Sequence, residues 1–209
     1  MPGSSVCAPN ADPLAAAVDT LRAGGIVVYP TETLYGLGAD ALNPTALDRL
    51  IALKIREPGK PISVLISDVD MLRDLVTDIP AAAAVLMRRF WPGPLTVVLA
   101  ARPGLSPLLT ASSGSIGVRI SSHPLAAALV CGLARPLTAP SANPAGMVPP
   151  TRIAPARAYF GARVDYYLDG GTLPGEPAST VVDMRHGLSI IRAGAVAVAD
   201  LHASLRGAG

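Results

Sequence analysis

Three cations lie close together in one short segment of the chain. Lys54, Arg56 and Lys60 fall within seven residues, and Pro58 and Gly59 bend the chain between them. A loop of this kind can aim several cations at one point, as a phosphate clamp requires, with arginine supplying a planar fork and lysine a point charge. If the first two cations end a helix, however, they would simply complement the helix dipole. Both explanations fit the segment taken alone.

Several other polar side chains lie next to predicted strands. Ser141 and Asn143 follow a short predicted strand, where they are either plain turn residues or donors to phosphate and ribose oxygens. Thr33 lies among hydroxyl-bearing residues at the end of a strand, where ligands of α/β proteins usually bind. Arg119 is flanked by β-branched residues within a strand, a position that favours a side chain pointing into a polar cavity. Arg192 ends another apolar strand.

The best-known catalytic motifs are absent from the sequence. A phosphate-binding P-loop would need Ser or Thr after Lys60, where this chain has Pro61. Neither G-x-S-x-G nor H-E-x-x-H occurs, and the three histidines, His123, His186 and His202, are isolated from one another. We expect these histidines to be structural or surface residues, which makes a hydrolase triad or catalytic zinc a poor interpretation.

Composition narrows the class of protein further. The two cysteines, Cys7 and Cys131, are too few for a disulfide framework or a structural zinc site, and Cys131 is expected to be a small core residue of an apolar helix. A net charge of +2 is too weak to predict duplex nucleic-acid binding. No apolar run approaches the length of a membrane span, and the N-terminus lacks a secretory signal pattern. We therefore expect a cytoplasmic protein without a membrane segment and without a protein-bound metal.

Helical and strand patterns alternate along the chain. Helices are predicted from Pro13 to Gly24, from Pro44 to about Lys54 or Arg56, and over 71–76, 81–90, 124–133 and 153–159; strands are predicted over 26–29, 62–66, 95–99, 116–120, 137–139, 165–168, 180–183 and 188–191. A Gly/Ser/Pro-rich loop is expected over 102–115. The late group of three strands breaks strict β-α-β alternation, which favours an α+β, three-layer α/β-type fold with a mixed sheet. One domain is expected over 1–209, with a core at about 12–195 and flexible ends.

These motifs occur together, and in the same order, in one known family. The matching segments are residues 29–38 (YPTETLYGLG), Lys54 with Arg56, Lys60-Pro61, Val118-Arg119, residues 141–143 (SAN), residues 179–183 (STVVD) and residues 191–194 (IRAG). From about residue 14 to about residue 194 the chain resembles the YrdC-like family, the threonylcarbamoyl-AMP synthases of the tRNA t6A pathway.

The resemblance implies a twisted mixed sheet flanked by helices around a deep, positively charged cavity. It implies an enzyme, a nucleotidyltransferase that converts L-threonine, bicarbonate and ATP to L-threonylcarbamoyladenylate and pyrophosphate. The ATP would bring Mg²⁺ on its phosphates. A separate threonylcarbamoyl-transferase complex would then pass the group to adenosine 37 of tRNA.

The resemblance also assigns roles to individual residues. Lys54 and Arg56 would be catalytic; the nucleotide would be held by Arg56, Lys60, Ser115, Ser141, Asn143 and Arg192; threonine would be held by Thr33, Arg119 and Ser179. No dedicated general base stands out, so the mechanism would depend on positioning and charge.

Three positions depart from patterns seen in parts of the family. Leu65 replaces a histidine, Ala139 a threonine and Pro149 a serine, which bears on the threonine contacts more than on the nucleotide site. The chain resembles the short, single-domain form, whose cavity should be more open. Two alternatives stay open: a YciO-like paralogue with little or no synthase activity, and a module that binds tRNA or double-stranded RNA weakly.

Overall fold

The computed structural model describes residues 12–54, 61–111, 113–175 and 177–207. The helices are α1 (Pro13–Arg22), α2 (Pro44–Lys54), α3 (Ala81–Phe90), α4 (Pro107–Thr110), α5 (Pro124–Leu133), α6 (Ile153–Phe160) and α7 (Val198–Arg206), with 3₁₀ turns at Val69–Asp74 and Gly161–Arg163. The strands are β1 (Val27–Pro30), β2 (Tyr35–Gly38), β3 (Val64–Leu65), β4 (Leu95–Ala100), β5 (Ser115–Arg119), β6 (Leu137–Thr138), β7 (Tyr166–Tyr167), β8 (Thr180–Asp183) and β9 (Ser189–Arg192).

Helices α1 and α5 each begin after a capping residue that is followed by proline. The Asp12 carboxylate accepts a hydrogen bond from the Leu14 amide at 3.0 Å at the start of α1. Before α5, the His123 Nδ1 atom accepts the Leu125 amide at 3.2 Å. Such caps satisfy amides that have no partner inside the helix, and proline at the first position loses no helical hydrogen bond. His123 is therefore a structural residue, as the sequence predicts.

The strands form a mixed arrangement. A six-stranded sheet has the order β6-β3-β5-β4-β8-β9, in which β3/β5 and β4/β8 are parallel and the other neighbours antiparallel. A three-stranded sheet has the order β2-β1-β7. The two sheets are joined where β2 runs beside β6 and its continuation: the Leu37 amide bonds to the Pro140 carbonyl at 2.8 Å, and the Ala142 amide to the Tyr35 carbonyl at 2.8 Å. The prediction of a mixed α+β fold is confirmed.

Two groups of apolar side chains hold the layers together. The larger one includes Val97 and Val118 of the central strands and packs against α2, α3 and α6. The smaller one lies between α1, α5 and β1. Helices α1 and α5 approach closely because Gly132 has no side chain: a Cβ atom there would lie 2.7 Å from a methyl group of Val18. Among the described residues, no helix is long and apolar enough to cross a membrane.

Three local predictions need correction. Cys131 is exposed, because the buried side of α5 carries Ala126, Leu129, Val130 and Leu133 instead. The short helix α4 lies within the segment expected to be only a loop. Helix α7 follows the predicted end of the core, and its Leu201 is fully buried, so the core continues beyond residue 195.

The central strands should be sensitive to lost volume. We expect Val97→Ala to lower the free energy of unfolding by about 2 kcal/mol, because Val97 is 0% exposed in β4 and two methyl groups would leave a cavity. The matched control is Val69→Ala, at a residue that is 50% exposed, with an expected change under about 0.5 kcal/mol. Urea denaturation measures both values. Equal losses would contradict this description of the core.

Candidate active site

A cavity of about 830 Å³ opens where the β1–β2 turn, the end of α2, and strands β4, β5, β8 and β9 meet. Most of the site residues predicted from the sequence line it, although they come from distant parts of the chain. They are Thr33, Lys54, Ser115, Arg119, Ser141, Ser179 and Arg192. Asn143 is buried beside this group. Arg56 and Lys60 lie outside the described residues.

The turn between β1 and β2 places two hydroxyl groups on the cavity wall. The Thr31 Oγ1 atom donates to the Leu34 carbonyl at 2.6 Å, which closes the turn on itself. The Thr33 Oγ1 atom lies 3.3 Å from Thr31 Oγ1. Both threonines are almost fully buried and line the cavity, so their hydroxyl groups are held in place before any ligand arrives.

Lys54 is fixed by the main chain of the Ser-x-Asn turn. Its Nζ atom donates to the carbonyl of Ser141 at 2.6 Å and to that of Asn143 at 2.8 Å. Only 7% of Lys54 is exposed. The two carbonyl dipoles help to stabilise the buried ammonium group. The pairing of a basic helix end with a Ser-x-Asn turn is thus a direct contact.

Asn143 contributes differently from the expectation. Its Nδ2 atom donates to the carbonyls of Pro144 at 3.0 Å and Met147 at 2.6 Å, so both amide protons are engaged within the turn. The buried Oδ1 atom has no hydrogen-bond partner within the described part of the chain. This geometry presents an acceptor rather than the neutral donor that the sequence predicts, and it leaves Ser141 as the donor of this pair.

Arg119 lies at the end of β5 with its side chain 7% exposed. Its Nη1 atom is 3.0 Å from the Oε1 atom of Glu32, whose own side chain is 13% exposed. The other carboxylate oxygen of Glu32 accepts a hydrogen bond from the Ser121 hydroxyl. Glu32 lies inside a recognised motif, but the sequence analysis gave it no role. Only the fold shows that it faces an arginine 87 residues further along the chain.

Arg192 is held by Ser179. Its Nε and Nη2 atoms donate to the Ser179 carbonyl at 3.1 Å and 2.8 Å, and Nη2 also bonds to the Ser179 hydroxyl at 3.0 Å. Burial, together with the nearby positive charge of Arg119, lowers the pKa of Arg192 below its ordinary value. The cavity therefore brings two guanidinium groups within electrostatic reach of each other, an arrangement that an anionic ligand would stabilise.

A second group of cavity residues was missed by the sequence analysis. Arg185 forms two-pronged contacts with Asp183, the shortest at 2.7 Å, and its Nη1 atom approaches the Ser113 carbonyl at 3.4 Å. The Ser113 hydroxyl lies 2.7 Å from that of Ser115. The i, i+2 spacing of Asp183 and Arg185 is the available signal, since it puts both on one face of an extended segment.

Two of the three positions at which the chain departs from patterns in the family border the cavity. Ala139 and Pro149 line its wall and give it an apolar surface where a hydroxyl was expected in other members. Leu65 is buried in β3 within the smaller apolar group. These positions supply no polar contact to a ligand.

The site as a whole suits a large anion. Within the described ranges, no cluster of three His, Cys, Asp or Glu side chains could hold a metal ion. The wall instead combines cations with hydroxyl groups on rigid elements. Fixed donors and charges of this kind can stabilise phosphate and carboxylate groups and offset charge that develops during a reaction. Fold and site together define an α+β protein with a cavity of about 830 Å³ whose lining includes Lys54, Arg119, Arg185 and Arg192.

Comparison with known proteins identifies the family. The family model Sua5_yciO_yrdC, described as telomere recombination, matches residues 19–194, and the chain belongs to this family. The resemblance inferred from the sequence motifs is thereby confirmed.

Relatives of two lengths match the chain. The threonylcarbamoyl-AMP synthase of Bacillus subtilis is 37% identical over 183 residues, which cover 87% of this chain but 53% of the relative. The threonylcarbamoyl-AMP synthase of Chromohalobacter salexigens is 38% identical over 183 residues, which cover 88% of this chain and 98% of the relative. The chain thus spans about half the length of the first relative and nearly all of the second.

Solved structures agree with the fold. The crystal structure of Pyrococcus abyssi Sua5 complexed with L-threonine matches with a TM-score of 0.88 and 33% identity, covering 91% of this chain and 56% of that one. The structure of Escherichia coli YciO matches with a TM-score of 0.80 and 26% identity, covering 88% and 90%.

The Asp183–Arg185 pair should make stability depend on pH in acid. Hydrogen bonding from Arg185 holds the pKa of the Asp183 carboxyl below its ordinary value of 3.8, although burial opposes this. A lowered folded-state pKa gives stability that is present above the unfolded pKa and is lost as pH falls through the folded one. We therefore expect the stability advantage of the native protein over Asp183→Asn to be constant from pH 7 to about pH 5 and to shrink below about pH 4.

Chemical denaturation at several pH values measures this difference. Arg185→Gln serves as the control, since removing the guanidinium should reduce the same pH-dependent component and leave the part that comes from the amide of residue 185. An advantage that grows in acid would contradict the assignment.

Proposed function

We propose that this chain is a threonylcarbamoyl-AMP synthase, which converts L-threonine, bicarbonate and ATP to L-threonylcarbamoyladenylate, pyrophosphate and water; the water leaves when the threonine amine and bicarbonate condense to the carbamate. The observation that carries the proposal is the convergence of Thr33, Lys54, Arg119, Ser141 and Arg192, from five separate segments, on one cavity. Support also comes from relatives of that name, one of which the chain covers over 98% of its length.

Threonine is assigned to the side of the cavity formed by β5 and the β1–β2 turn. Arg119 would bind the substrate carboxylate with its planar fork, and the Thr33 hydroxyl would contact the amino acid from the opposite turn. Ser179, held beside Arg192, completes this side. A related protein, Sua5 of Pyrococcus abyssi, has been crystallised with L-threonine, which supports a threonine site within this fold.

The nucleotide is assigned to Lys54, Ser115, Ser141 and Arg192. Arg56, Lys60 and the oxygen of Asn143 complete the proposed set; the first two belong to the segment outside the described residues. Lys54 and Arg56 are proposed as the catalytic cations. ATP would carry Mg²⁺ on its phosphates, in addition to the protein's own charges.

The proposed reaction requires two anions to meet. A carboxylate oxygen of N-carboxylated threonine attacks the α-phosphorus of ATP; the new O–P bond forms as the bond to the pyrophosphate oxygen breaks, and pyrophosphate leaves with its electron pair. Fixed cations lower this barrier by offsetting the repulsion and by holding the reactants in line. Lys54 suits this role because two backbone carbonyls hold its ammonium group at a fixed position on the cavity wall.

The fate of the product, the location of the reaction and the domain organisation are parts of the same proposal. The product is a reactive mixed anhydride, so a threonylcarbamoyl-transferase complex acting on tRNA should consume it, in the cytoplasm. The chain is proposed to work as one domain.

A YciO-like paralogue is less well supported, since similarity to YciO is weaker in both TM-score and identity. No contact in the described residues specifically favours an RNA-binding module.

The activity itself gives a direct test. We expect purified protein with ATP and Mg²⁺ to release pyrophosphate only when threonine and bicarbonate are both present, and mass spectrometry to detect the threonylcarbamoyl adenylate. Omission of each substrate in turn is the control. Pyrophosphate release without threonine, or no release from folded protein, would refute the synthase assignment.

Arg119→Lys tests the carboxylate fork. A lysine keeps the charge but loses the two-pronged geometry, so we expect the KM for threonine to rise roughly 10- to 100-fold while the KM for ATP changes little. The matched control is Arg49→Lys: one nitrogen of Arg49, Nη2, contacts both carboxylate oxygens of Asp165, at 2.9 Å and 2.8 Å, and Arg49 does not line the cavity. Equal effects of the two substitutions on threonine would contradict the assignment.

A further inference from the structure

The contact between Glu32 and Arg119 is an unusual ion pair. The two atoms that face each other, Oε1 and Nη1, are 3.0 Å apart, yet both are buried without a hydrogen-bond partner within the described part of the chain. This distance suits a strong ion pair. The hydrogen bond is therefore missing because the N–H groups of Arg119 do not point at the carboxylate oxygen. Buried polar atoms are nearly always hydrogen-bonded, and exceptions in native folds call for an explanation.

The misaligned N–H groups leave Arg119 with unused donor capacity. A guanidinium carries five N–H groups in a fixed plane, and Arg119 lines the cavity. The carboxylate supplies charge compensation from one side, while donors that do not aim at it stay available to a ligand. An arginine bonded in a two-pronged pair to its counter-ion would have two fewer N–H groups to offer.

Glu32 itself is held from a second direction. The Ser121 hydroxyl donates to its Oε2 atom, and the same hydroxyl oxygen accepts the amide of His123 at 3.2 Å. Since Arg119 and Ser121 are two residues apart in an extended segment, their side chains project to the same side and both contact the carboxylate of Glu32. The contact therefore ties the end of β5 to the β1–β2 turn.

The neighbours of Glu32 are the hydroxyl groups of the threonine side. Thr31 and Thr33 line the cavity, whereas Glu32 between them turns away toward Arg119 and Ser121. One carboxylate thus fixes two features at once, the plane of the arginine and the position of the turn. It also offsets the cost of placing Arg119 near a second cation, Arg192, whose own pKa is lowered by partial desolvation and by the charge of Arg119.

We propose that Glu32 is a positioning residue for threonine: it holds Arg119 and the Thr31–Thr33 turn in the geometry that binds the amino acid, without touching the substrate. This inference rests on the proposed function, because it assigns threonine to Arg119. It makes the amino-acid affinity, and not the nucleotide affinity, depend on a side chain outside the cavity wall.

Glu32→Gln is the decisive substitution. The Ser121 hydroxyl proton is committed to Oε2 because its oxygen already accepts an amide, so the new amide oxygen should take that place and its NH₂ group should face Arg119. Two donors then oppose each other and displace the guanidinium. We expect the KM for threonine and its calorimetric Kd to rise about tenfold, with the KM for ATP within about twofold of native.

Two further variants separate positioning from folding. Ser121→Ala removes only the second support and should raise the KM for threonine about threefold in the same direction, even if Glu32→Gln does not fold. Asp40→Asn is the matched control: Asp40 is a buried carboxylate that pairs with Arg135 at 2.7 Å and does not line the cavity. It should lower Tm without changing the ratio of the two KM values.

The outcomes also separate this inference from the function on which it rests. A native protein that binds no threonine and releases no pyrophosphate would refute the function and this inference with it. An active native protein whose Glu32→Gln and Ser121→Ala forms bind threonine with native or higher affinity would refute the positioning role and leave the function intact. A loss shared equally by threonine and ATP would likewise show that Glu32 serves only the fold.

Discussion

The organisation of this protein depends on how the cations of its cavity are compensated. A buried cation loses the solvation of water and must be compensated, yet a close carboxylate at every cation would leave nothing for an anionic ligand. Backbone carbonyls contact the buried Lys54 at 2.6 Å and 2.8 Å and the more exposed Arg192 at 2.8 Å and 3.1 Å. Arg119 is compensated by a carboxylate whose alignment leaves N–H groups unused.

The fold supplies those carbonyls where its regular pairing is interrupted. The Ser-x-Asn turn comes directly after the short strand β6, beside the junction of the two sheets. The segment that carries Ser179 runs into β8 next to the bulged pairing with β9. Carbonyl groups that would bond to a neighbouring strand in a longer ladder can thus accept hydrogen bonds from side chains. Short strands and a mixed sheet are in this sense requirements of the site.

Local signals predicted much of this architecture. Helix α5 begins and ends at the predicted residues because proline and the apolar run define both boundaries, but the exposed position of Cys131 was missed since the helix is apolar on nearly every side. The residues of the site could be named from motifs in register. Their contacts could not: the roles of Glu32 and Arg185 depend on which distant segment lies opposite, and that is decided by sheet topology.

The carbonyl anchors have a consequence for how this sequence can vary. An acceptor that belongs to the main chain is present whatever side chain the residue carries. Substitution at Ser141 therefore leaves the hydrogen bond from Lys54 in place as long as the turn keeps its shape, and substitution at Ser179 removes only the hydroxyl contact with Arg192. The counter-charge of Arg119 comes from a side chain and has no such redundancy. Substitutions should therefore be tolerated unevenly around the cavity. The carboxylate at position 32 should be the hardest of the cation partners to replace.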